Sequence, residues 1–210
     1  RASDAVLCFS PEKKLALKDP LDIPAGRISA LCGASGCGKT SFIKTLIGFY
    51  PYEGDISIAG APLNAYSPKY LREQIAYLSQ QNILIAGSIK ENLLIGGHAA
   101  VTEEEMKEAL RICTCDEWLG DMPDGLDTML DEGGMRLSGG QRQMLIIARA
   151  LLQKKPILLM DETFSAIDKK RSVRIIENIR RAYPEKTILL ISHEDEIVRC
   201  CDEQVMVSSM

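Results

Sequence analysis

Residues 33–40 read GASGCGKT, and this octapeptide constrains the fold more than any other part of the chain. It matches the pattern G-x-x-x-x-G-K-[ST] and lies between a short apolar segment, RISALCG, and a segment with helical character, SFIKTLIGF. Glycines let the backbone N–H groups of such a loop turn inward around a phosphate, and the start of the following helix favours negative charge. The sequence therefore predicts a strand, a phosphate-binding loop and a helix in succession.

The loop predicts a site for the phosphate chain of a nucleotide. Lys39 can reach the β- and γ-phosphates, and the Thr40 hydroxyl can ligate Mg²⁺. Cys37 is interpreted as a neutral occupant of a variable position in the loop. We expect nucleotide contacts from Gly33, Ala34, Ser35, Gly36, Cys37, Gly38, Lys39, Thr40 and Ser41. The loop alone does not name a function, because kinases, GTPases, helicases and transporters all use one.

Strand and helix patterns alternate along the rest of the chain. Strands are predicted at 27–33, 54–60, 75–80, 156–160, 187–192 and 203–208, and helices at 41–49, 88–94, 102–113, 115–122, 138–153 and 169–183. This alternation predicts a mostly parallel α/β sheet. We expect residues 82–153 to form a helical insertion, and residues 1–81 and 154–210 to form the nucleotide-binding core of one domain.

Composition narrows the function classes. The chain has 210 residues and a net charge of −4, so it lacks the broad basic footprint of a nucleic-acid-binding protein. No apolar run approaches the roughly 20 residues of a membrane helix, so the fragment is expected to be soluble by itself. The seven cysteines match no zinc spacing and are interpreted as reduced thiols. Residue 1 is Arg, which favours a domain excised from a longer chain.

An acidic pair follows a second buried strand, in the sequence ILLMDET. Asp161 can hold Mg²⁺, since hard cations prefer oxygen ligands, and Glu162 is free to polarise an attacking water. His193 follows the next buried strand, and at the carboxyl edge of the sheet it could contact a γ-phosphate. Gln80 ends the strand IAYLSQ, where an amide could contact Mg²⁺ or the water, although Gln81 beside it leaves the position open by one residue.

The segment RLSGGQRQ opens a long apolar helix. Ser138 and Gln141 have the spacing of a capping box, in which each side chain bonds to the other's backbone N–H. Gly139 and Gly140 occupy the first turn, where alanine would be about 1 kcal/mol better at each position. The sequence offers no local reason for them, which favours an interpretation in which this helix start meets the γ-phosphate of another subunit.

The order of these motifs carries more information than any one of them. Along the chain come GASGCGKT, Gln80, LSGGQ, ILLMDE, SAID at 165–168 and His193. This order resembles that of the ATP-binding cassette (ABC) family, and the match extends over nearly the whole chain. The resemblance implies a RecA-like P-loop NTPase core with an inserted helical subdomain and an N-terminal antiparallel β part.

The resemblance also implies an ATPase that works as a head-to-tail dimer around two ATP molecules. Glu162 would be the general base, His193 would fix the γ-phosphate, and Asp168 would lie at the dimer interface. One half-site would be formed by Lys39, Thr40, Gln80, Asp161, Glu162 and His193, with Mg²⁺ held by Thr40, Gln80 and Asp161. The other subunit's γ-phosphate would face Ser138, Gly139, Gly140 and Gln141.

Residues 82–94 and 123–143 resemble the exporter type of cassette. In exporters the cassette usually follows six membrane helices, lies at the cytoplasmic face, and contacts the membrane domain through a segment like DEGG at 131–134. Residues 46–63 more narrowly resemble the heterodimeric exporters of cysteine and glutathione. One departure concerns adenine stacking, because Pro11 stands where the family usually has Tyr, leaving Phe9 as a substitute or no aromatic at all.

Three alternative functions remain open from the sequence. The chain could be a regulatory half that hydrolyses ATP weakly, although Glu162 and His193 argue against this. It could be a soluble ABC protein that acts on DNA or ribosomes. Such proteins usually carry basic or coiled-coil insertions, and this acidic sequence shows neither. It could also be the separate ATPase subunit of an importer, which the exporter-like segments disfavour.

Overall fold

The structure is a computed structural model that describes residues 1–10, 13–79, 83–97 and 101–208. Its strands are β1 Ala2–Ser10, β2 Lys13–Ala16, β3 Ile28–Cys32, β4 Tyr52–Ile58, β5 Ala61–Pro62, β6 Ile75–Leu78, β7 Gly87–Ser88, β8 Met129–Leu130, β9 Ile157–Asp161, β10 Thr187–Ile191 and β11 Glu203–Met206. Its α-helices are α1 Lys39–Leu46, α2 Pro68–Gln74, α3 Ile89–Leu94, α4 Glu103–Ile112, α5 Asp116–Leu119, α6 Gly139–Leu152, α7 Lys169–Ala182 and α8 Asp195–Cys200.

A parallel sheet of five strands forms the centre, in the order β11-β3-β10-β9-β6. The register aligns Leu190 of β10 with Met160 of β9 on one side and with Ala30 of β3 on the other. The strands leading to the phosphate loop, to Asp161 and to His193 are therefore neighbours. Because they are parallel, their carboxyl ends meet at one edge, as the sequence predicts.

A second sheet is formed by the strands β1, β2, β4 and β5. It is antiparallel, in the order β2-β1-β4-β5. Leu15 of β2 and Leu7 of β1 approach Gly38, whose own Cβ, if present, would lie 2.2 Å from Leu15 Cδ2. The antiparallel part expected from the family resemblance is thus present, and it lies against the phosphate loop.

Alternating side chains divide the parallel sheet between two hydrophobic clusters. Leu158 and Met160 of β9 join a cluster with helices α3, α4, α6 and α7, whereas Leu159 joins the cluster of α1 and the antiparallel sheet. Each face of the sheet is covered, which explains why β9 and β10 read as unbroken apolar runs. The helices between β6 and β9 pack mainly on one another and on the first of these clusters, with α6 contacting both α3 and α4.

The predicted elements are found with ends shifted by a few residues. The helix predicted at 41–49 begins earlier, at Lys39, and ends at Leu46, because Gly48 adopts a left-handed φ of 78°. Helices α2 and α8 lie in segments for which the sequence patterns predict no helix. All seven cysteines are free thiols, in agreement with the sequence. None of the described helices has the length and apolar character needed to cross a membrane.

Candidate active site

The phosphate loop begins where β3 ends. Gly33 has a φ of 146° and faces backbone, since a Cβ there would lie 2.3 Å from the carbonyl oxygen of Val207. Gly38, with a φ of 97°, precedes the first residue of α1. Both positions exclude other residues, because a positive φ is strained for a side chain and neither site has room for one. The loop conformation therefore follows from the glycines at its two ends.

Lys39 is buried at the start of α1 and points back into the loop. Its Nζ donates hydrogen bonds to the carbonyl oxygens of Gly33 and Ala34, each at 2.9 Å. The Cys37 thiol lies 3.9 Å from the same Nζ. The ammonium group is thus held over the concave side of the loop, where a phosphate chain could replace the carbonyl oxygens as its partner.

A cleft of about 220 Å³ opens at this edge of the sheet. Its lining consists of Ser35, Gly36, Gly38, Lys39, Thr40, Ser41, Glu162, Ile191 and His193. The structure therefore gathers the loop residues, the acidic residue after β9 and the histidine after β10 around one space. A larger cleft of about 320 Å³ lies between the two sheets, but its lining is mainly apolar and offers no comparable set of reactive groups.

Asp161 ends β9 beside the loop and is almost completely buried. Its Oδ1 accepts a hydrogen bond from the Thr40 hydroxyl at 3.0 Å, and its Oδ2 accepts a longer one from Tyr77 at 3.4 Å. Burial raises the pKa of the Asp161 carboxyl, and the nearby Glu162 raises it further, while the bond from Thr40 opposes the shift. The Asp161 carboxyl is therefore held in place beside the loop by two hydrogen-bond donors.

The pair Thr40 and Asp161 fits Mg²⁺ by the chemistry of its donors. A hydroxyl and a carboxylate oxygen lie side by side at the loop, and Mg²⁺ prefers such oxygen ligands together with the phosphates of a substrate. Among the described residues, no group of three or more His, Cys, Asp and Glu side chains could hold a metal ion. A cation at this pair would need further ligands besides Thr40 and Asp161.

Glu162 and His193 are in contact with each other in the lining of the cleft. The His193 Nε2 lies 3.3 Å from the Glu162 Oε1, and the His193 side chain is 57% exposed. Glu162 has a left-handed φ of 53°, and its N–H donates to the carbonyl oxygen of Ile191 at the end of β10. A strained backbone at a strand end is often found at functional sites, and here it turns the carboxylate away from Asp161 and towards the histidine.

The start of α6 lies elsewhere. Ser138 accepts a hydrogen bond from Gln141 N at 3.1 Å, and Gln141 Oε1 accepts one from Ser138 N at 2.8 Å, so the predicted capping box is present. Ser138 is exposed. Ser138, Gly139, Gly140 and Gln141 are all described, and none of them lines the cleft of the phosphate loop.

The structure provides a local reason for the two glycines, which the sequence interpretation missed. A Cβ at Gly140 would lie 2.9 Å from the carbonyl oxygen of Ala166, and one at Gly139 would lie 3.1 Å from the Ala166 methyl group. Gln143 fixes the same contact, since its Oε1 accepts a hydrogen bond from Ala166 N at 2.8 Å. The interpretation that the glycines have no local role was wrong, because α6 packs closely on the loop before α7.

Asp168 has a local role at the start of α7. Its carboxylate accepts a hydrogen bond from Arg171 N at 3.0 Å and caps the helix, and the side chain is 62% exposed. Phe9 packs edge to face on Tyr50, with ring centroids 5.1 Å apart, so a second aromatic stands beside the one that the sequence singled out. Gln80 and Pro11 lie outside the described residues.

Tyr77 and Gln143 are site residues that sequence reasoning did not single out. Tyr77 lies in an apolar strand, and only the pairing of β6 with β9 brings its hydroxyl to Asp161. Gln143 contacts Ala166, which is 23 residues further along the chain. No spacing in the sequence indicates either contact, because both depend on the packing of distant segments.

Comparisons with known proteins agree with this geometry. Residues 18–165 match the family model of the ABC transporter. The chain is 38% identical over 193 residues to ABC transporter B family member 1 of Arabidopsis thaliana, covering 91% of this chain and 15% of that protein. It is 39% identical over 183 residues to the ATP-dependent lipid A-core flippase of Xylella fastidiosa, covering 87% of this chain and 31% of the flippase.

A solved structure of a bacterial Atm1-family ABC exporter with ATP bound is also similar. The two superpose with a TM-score of 0.89 at 27% identity, over 99% of this chain and 36% of the exporter chain. The chain thus spans less than two fifths of each of these three proteins. It belongs to the ABC transporter family, as a nucleotide-binding ATPase domain of the type found in exporters.

Proposed function

We propose that this chain hydrolyses ATP as one half of a head-to-tail dimer and so drives transport by a membrane domain. One observation carries the proposal. The phosphate loop, Glu162 and His193 surround one cleft, whereas the LSGGQ helix start, centred on Ser138, is accessible at a different place. A site divided in this way is completed by a second copy or a related domain, which brings its own α6 start to the bound nucleotide.

Within one half-site the chain's residues have distinct tasks. Lys39 and the loop N–H groups bind the phosphates, and Thr40 and Asp161 hold Mg²⁺, with Gln80 proposed as a further ligand. Mg²⁺ supplies neutralisation of the charge that develops on the phosphates. Glu162 accepts a proton from the attacking water, and His193, 3.3 Å away, holds the γ-phosphate in line.

The dimer contacts would come from Ser138, Gly139, Gly140 and Gln141, which face the partner's γ-phosphate, and from Asp168. The backbone N–H groups at the start of α6 suit an anion, and the exposure of Ser138 leaves room for one. Gln143 supports this arrangement, because it ties α6 to the segment that ends at Asp168. Closure would be favoured by contacts with ATP that exist only when both halves meet.

The membrane domain is proposed to precede this chain in the same polypeptide and to place it at the cytoplasmic face of a membrane. The helical unit at 82–153 would meet that domain. Ile83 and Ile85 are 66% and 49% exposed, and they flank Leu84, whose carbonyl oxygen accepts a hydrogen bond from Gly133 N in the DEGG turn. We expect ATP, a second such domain and the membrane domain as partners, and no nucleic acid.

The base of the nucleotide is proposed to stack on Phe9, which Tyr50 supports from the edge. The cargo is a separate matter. The narrower resemblance of residues 46–63 to exporters of cysteine and glutathione stays a prediction, because selection of cargo belongs to a membrane domain.

The test is the Glu162→Gln variant. Without the general base, we expect hydrolysis to fall by about 10²- to 10⁴-fold while ATP still binds. Light scattering is expected to show an ATP-dependent dimer that the wild-type chain forms only briefly. Glu185→Gln is the matched control, since Glu185 is exposed and does not line the cleft. Hydrolysis by Glu162→Gln at the rate of this control would contradict the assignment of the base.

A further inference from the structure

Two adjacent cysteines, Cys200 and Cys201, stand at the end of α8. Both are partly exposed, whereas Cys113 and Cys115 in the helical region are completely buried. Burial raises the pKa of the thiols at 113 and 115, which makes them inert packing residues. Cys200 and Cys201 are therefore accessible to reagents in solution, whereas Cys113 and Cys115 are not.

The two thiols converge on one point. The Sγ of Cys200 lies 3.0 Å from the carbonyl oxygen of Ile197, and the Sγ of Cys201 lies 3.3 Å from the same oxygen. The two thiols also interact with each other, which lowers the pKa of Cys200 and raises that of Cys201. The two neighbouring thiols therefore differ in acidity, and both point to the same carbonyl oxygen.

A disulfide is a poor product for this pair. Adjacent Cα atoms are about 3.8 Å apart across a trans peptide, which is shorter than the roughly 4.4 Å at which ordinary disulfides begin. Closing the bond would strain the backbone. A single atom that bonds to both sulfurs avoids this strain, because the two sulfurs then need not bond to each other.

The backbone around the pair is held firmly. Arg180 donates hydrogen bonds to the carbonyl oxygen of Cys200 at 2.5 Å and to Asp202 Oδ1 at 3.1 Å. Asp202 is joined to β3 twice, since its Oδ2 accepts from Ile28 N at 2.8 Å and its own N–H donates to the Ile28 carbonyl oxygen at 2.8 Å. The two sulfurs are consequently preorganised, which lowers the entropic cost of binding one ligand with both.

We propose that Cys200 and Cys201 form a two-sulfur binding site for a soft, thiophilic Lewis acid of the trivalent arsenical class. In the binding step a hydrated arsenical, R–As(OH)₂, forms two As–S bonds and loses two As–O bonds. The two thiol protons leave with the two hydroxyl groups as two molecules of water, and arsenic stays trivalent. The site is independent of the nucleotide cleft, since neither cysteine lines it.

The probe for this site is phenylarsine oxide, followed by intact-protein mass spectrometry. We expect the wild-type chain to retain one arsenical in the presence of excess glutathione and to release it to 2,3-dimercaptopropanol, because only a dithiol competes with two sulfurs. Cys200→Ser and Cys201→Ser are each expected to lose the arsenical to glutathione. Cys8→Ser is the matched control, as it removes a partly exposed thiol on β1, and it is expected to behave like wild type.

Peptide mapping of the wild-type adduct decides the matter even if a serine variant fails to fold. The proposal requires that bound arsenical protects Cys200 and Cys201 together from alkylation and leaves Cys8 reactive. It is overturned if glutathione strips the wild-type chain, if protection falls on other cysteines, or if either folded serine variant retains the arsenical as wild type does.

Discussion

Two glycine-rich helix starts, those of α1 and α6, look alike in the sequence and differ in the structure. The glycines before α1 serve conformation, since Gly33 and Gly38 have φ values of 146° and 97°. Gly139 and Gly140 belong to the regular helix α6 and serve close packing, because a Cβ at Gly140 would meet the Ala166 carbonyl oxygen at 2.9 Å. The same residue type therefore solves a backbone problem in one place and a steric problem in the other.

The two starts also differ in how their N–H groups are used. Gly38 has no side chain with which to cap α1, and Lys39 folds back over the loop. Ser138 and Gln141 cap α6 from within the helix. The first start thus lacks a side-chain cap, whereas the second is capped by its own side chains and has its serine exposed, a difference in keeping with the divided site proposed above.

The largest expected effect follows Gly33→Ala. The new methyl group would overlap the Val207 carbonyl oxygen at 2.3 Å in a strained backbone, so we expect the free energy of unfolding to fall by more than about 3 kcal/mol. Gly36→Ala is the control, since Gly36 has a φ of 80° but open space around it, and should lose only about 1 kcal/mol. Urea denaturation measures both, and equal stabilities would mean that Gly33 is not fixed by contact.

Ser138→Arg sharpens the contrast in function. We expect hydrolysis to fall by about 100-fold or more, because the long, charged arginine side chain would occupy the place proposed for a partner's γ-phosphate. ATP binding to the monomer should be unchanged. Ser67→Arg also removes a serine that caps a helix, at the start of α2, and should keep its activity. Equal loss of monomer ATP binding in Ser138→Arg would show that Ser138 acts within its own chain.

Gly140→Ala and Gly139→Ala test the close packing of α6 on Ala166. A methyl group at Gly140 meets a backbone oxygen, so a loss of about 1–2 kcal/mol is expected. At Gly139 the neighbour is a methyl group at 3.1 Å that can yield slightly, and we expect stability within about 0.5 kcal/mol of wild type. Thermal denaturation gives both values. A larger loss from Gly139→Ala than from Gly140→Ala would break the packing explanation.

Tyr77→Phe is expected to have a small effect, confined to the metal requirement. It removes a long hydrogen bond to Asp161, so the Mg²⁺ concentration for half-maximal hydrolysis should rise by about twofold to tenfold. Binding of Mn²⁺ with ATP, followed by electron paramagnetic resonance, should weaken in parallel. Tyr66→Phe is the control, because its hydroxyl bonds to the Ile58 carbonyl oxygen instead. An unchanged metal requirement would leave Tyr77 with no part in positioning Asp161.

Much of the fold could be predicted from the sequence because its signals are local. The apolar runs of β9 and β10 predict buried parallel strands, and the spacing of Ser138 and Gln141 predicts the capping box that is found. Helices α2 and α8 escaped prediction, since no helical pattern stands out in the segments that form them. The contacts of Tyr77 and Gln143 escaped as well, because they join segments far apart in the chain.

The sequence by itself determined the phosphate loop, the order of the family motifs and the parallel α/β architecture. The phosphate loop and the strands depend on residue types at short spacings, which fix local backbone geometry directly, and the order of the motifs is read from the chain itself. Only the tertiary structure decided that Glu162 and His193 meet in the lining of one cleft, that Gly140 packs on Ala166, and that the thiols of Cys200 and Cys201 converge on a single carbonyl oxygen. The physical reason is that strand order and helix packing set which distant side chains meet, and no local spacing encodes that choice.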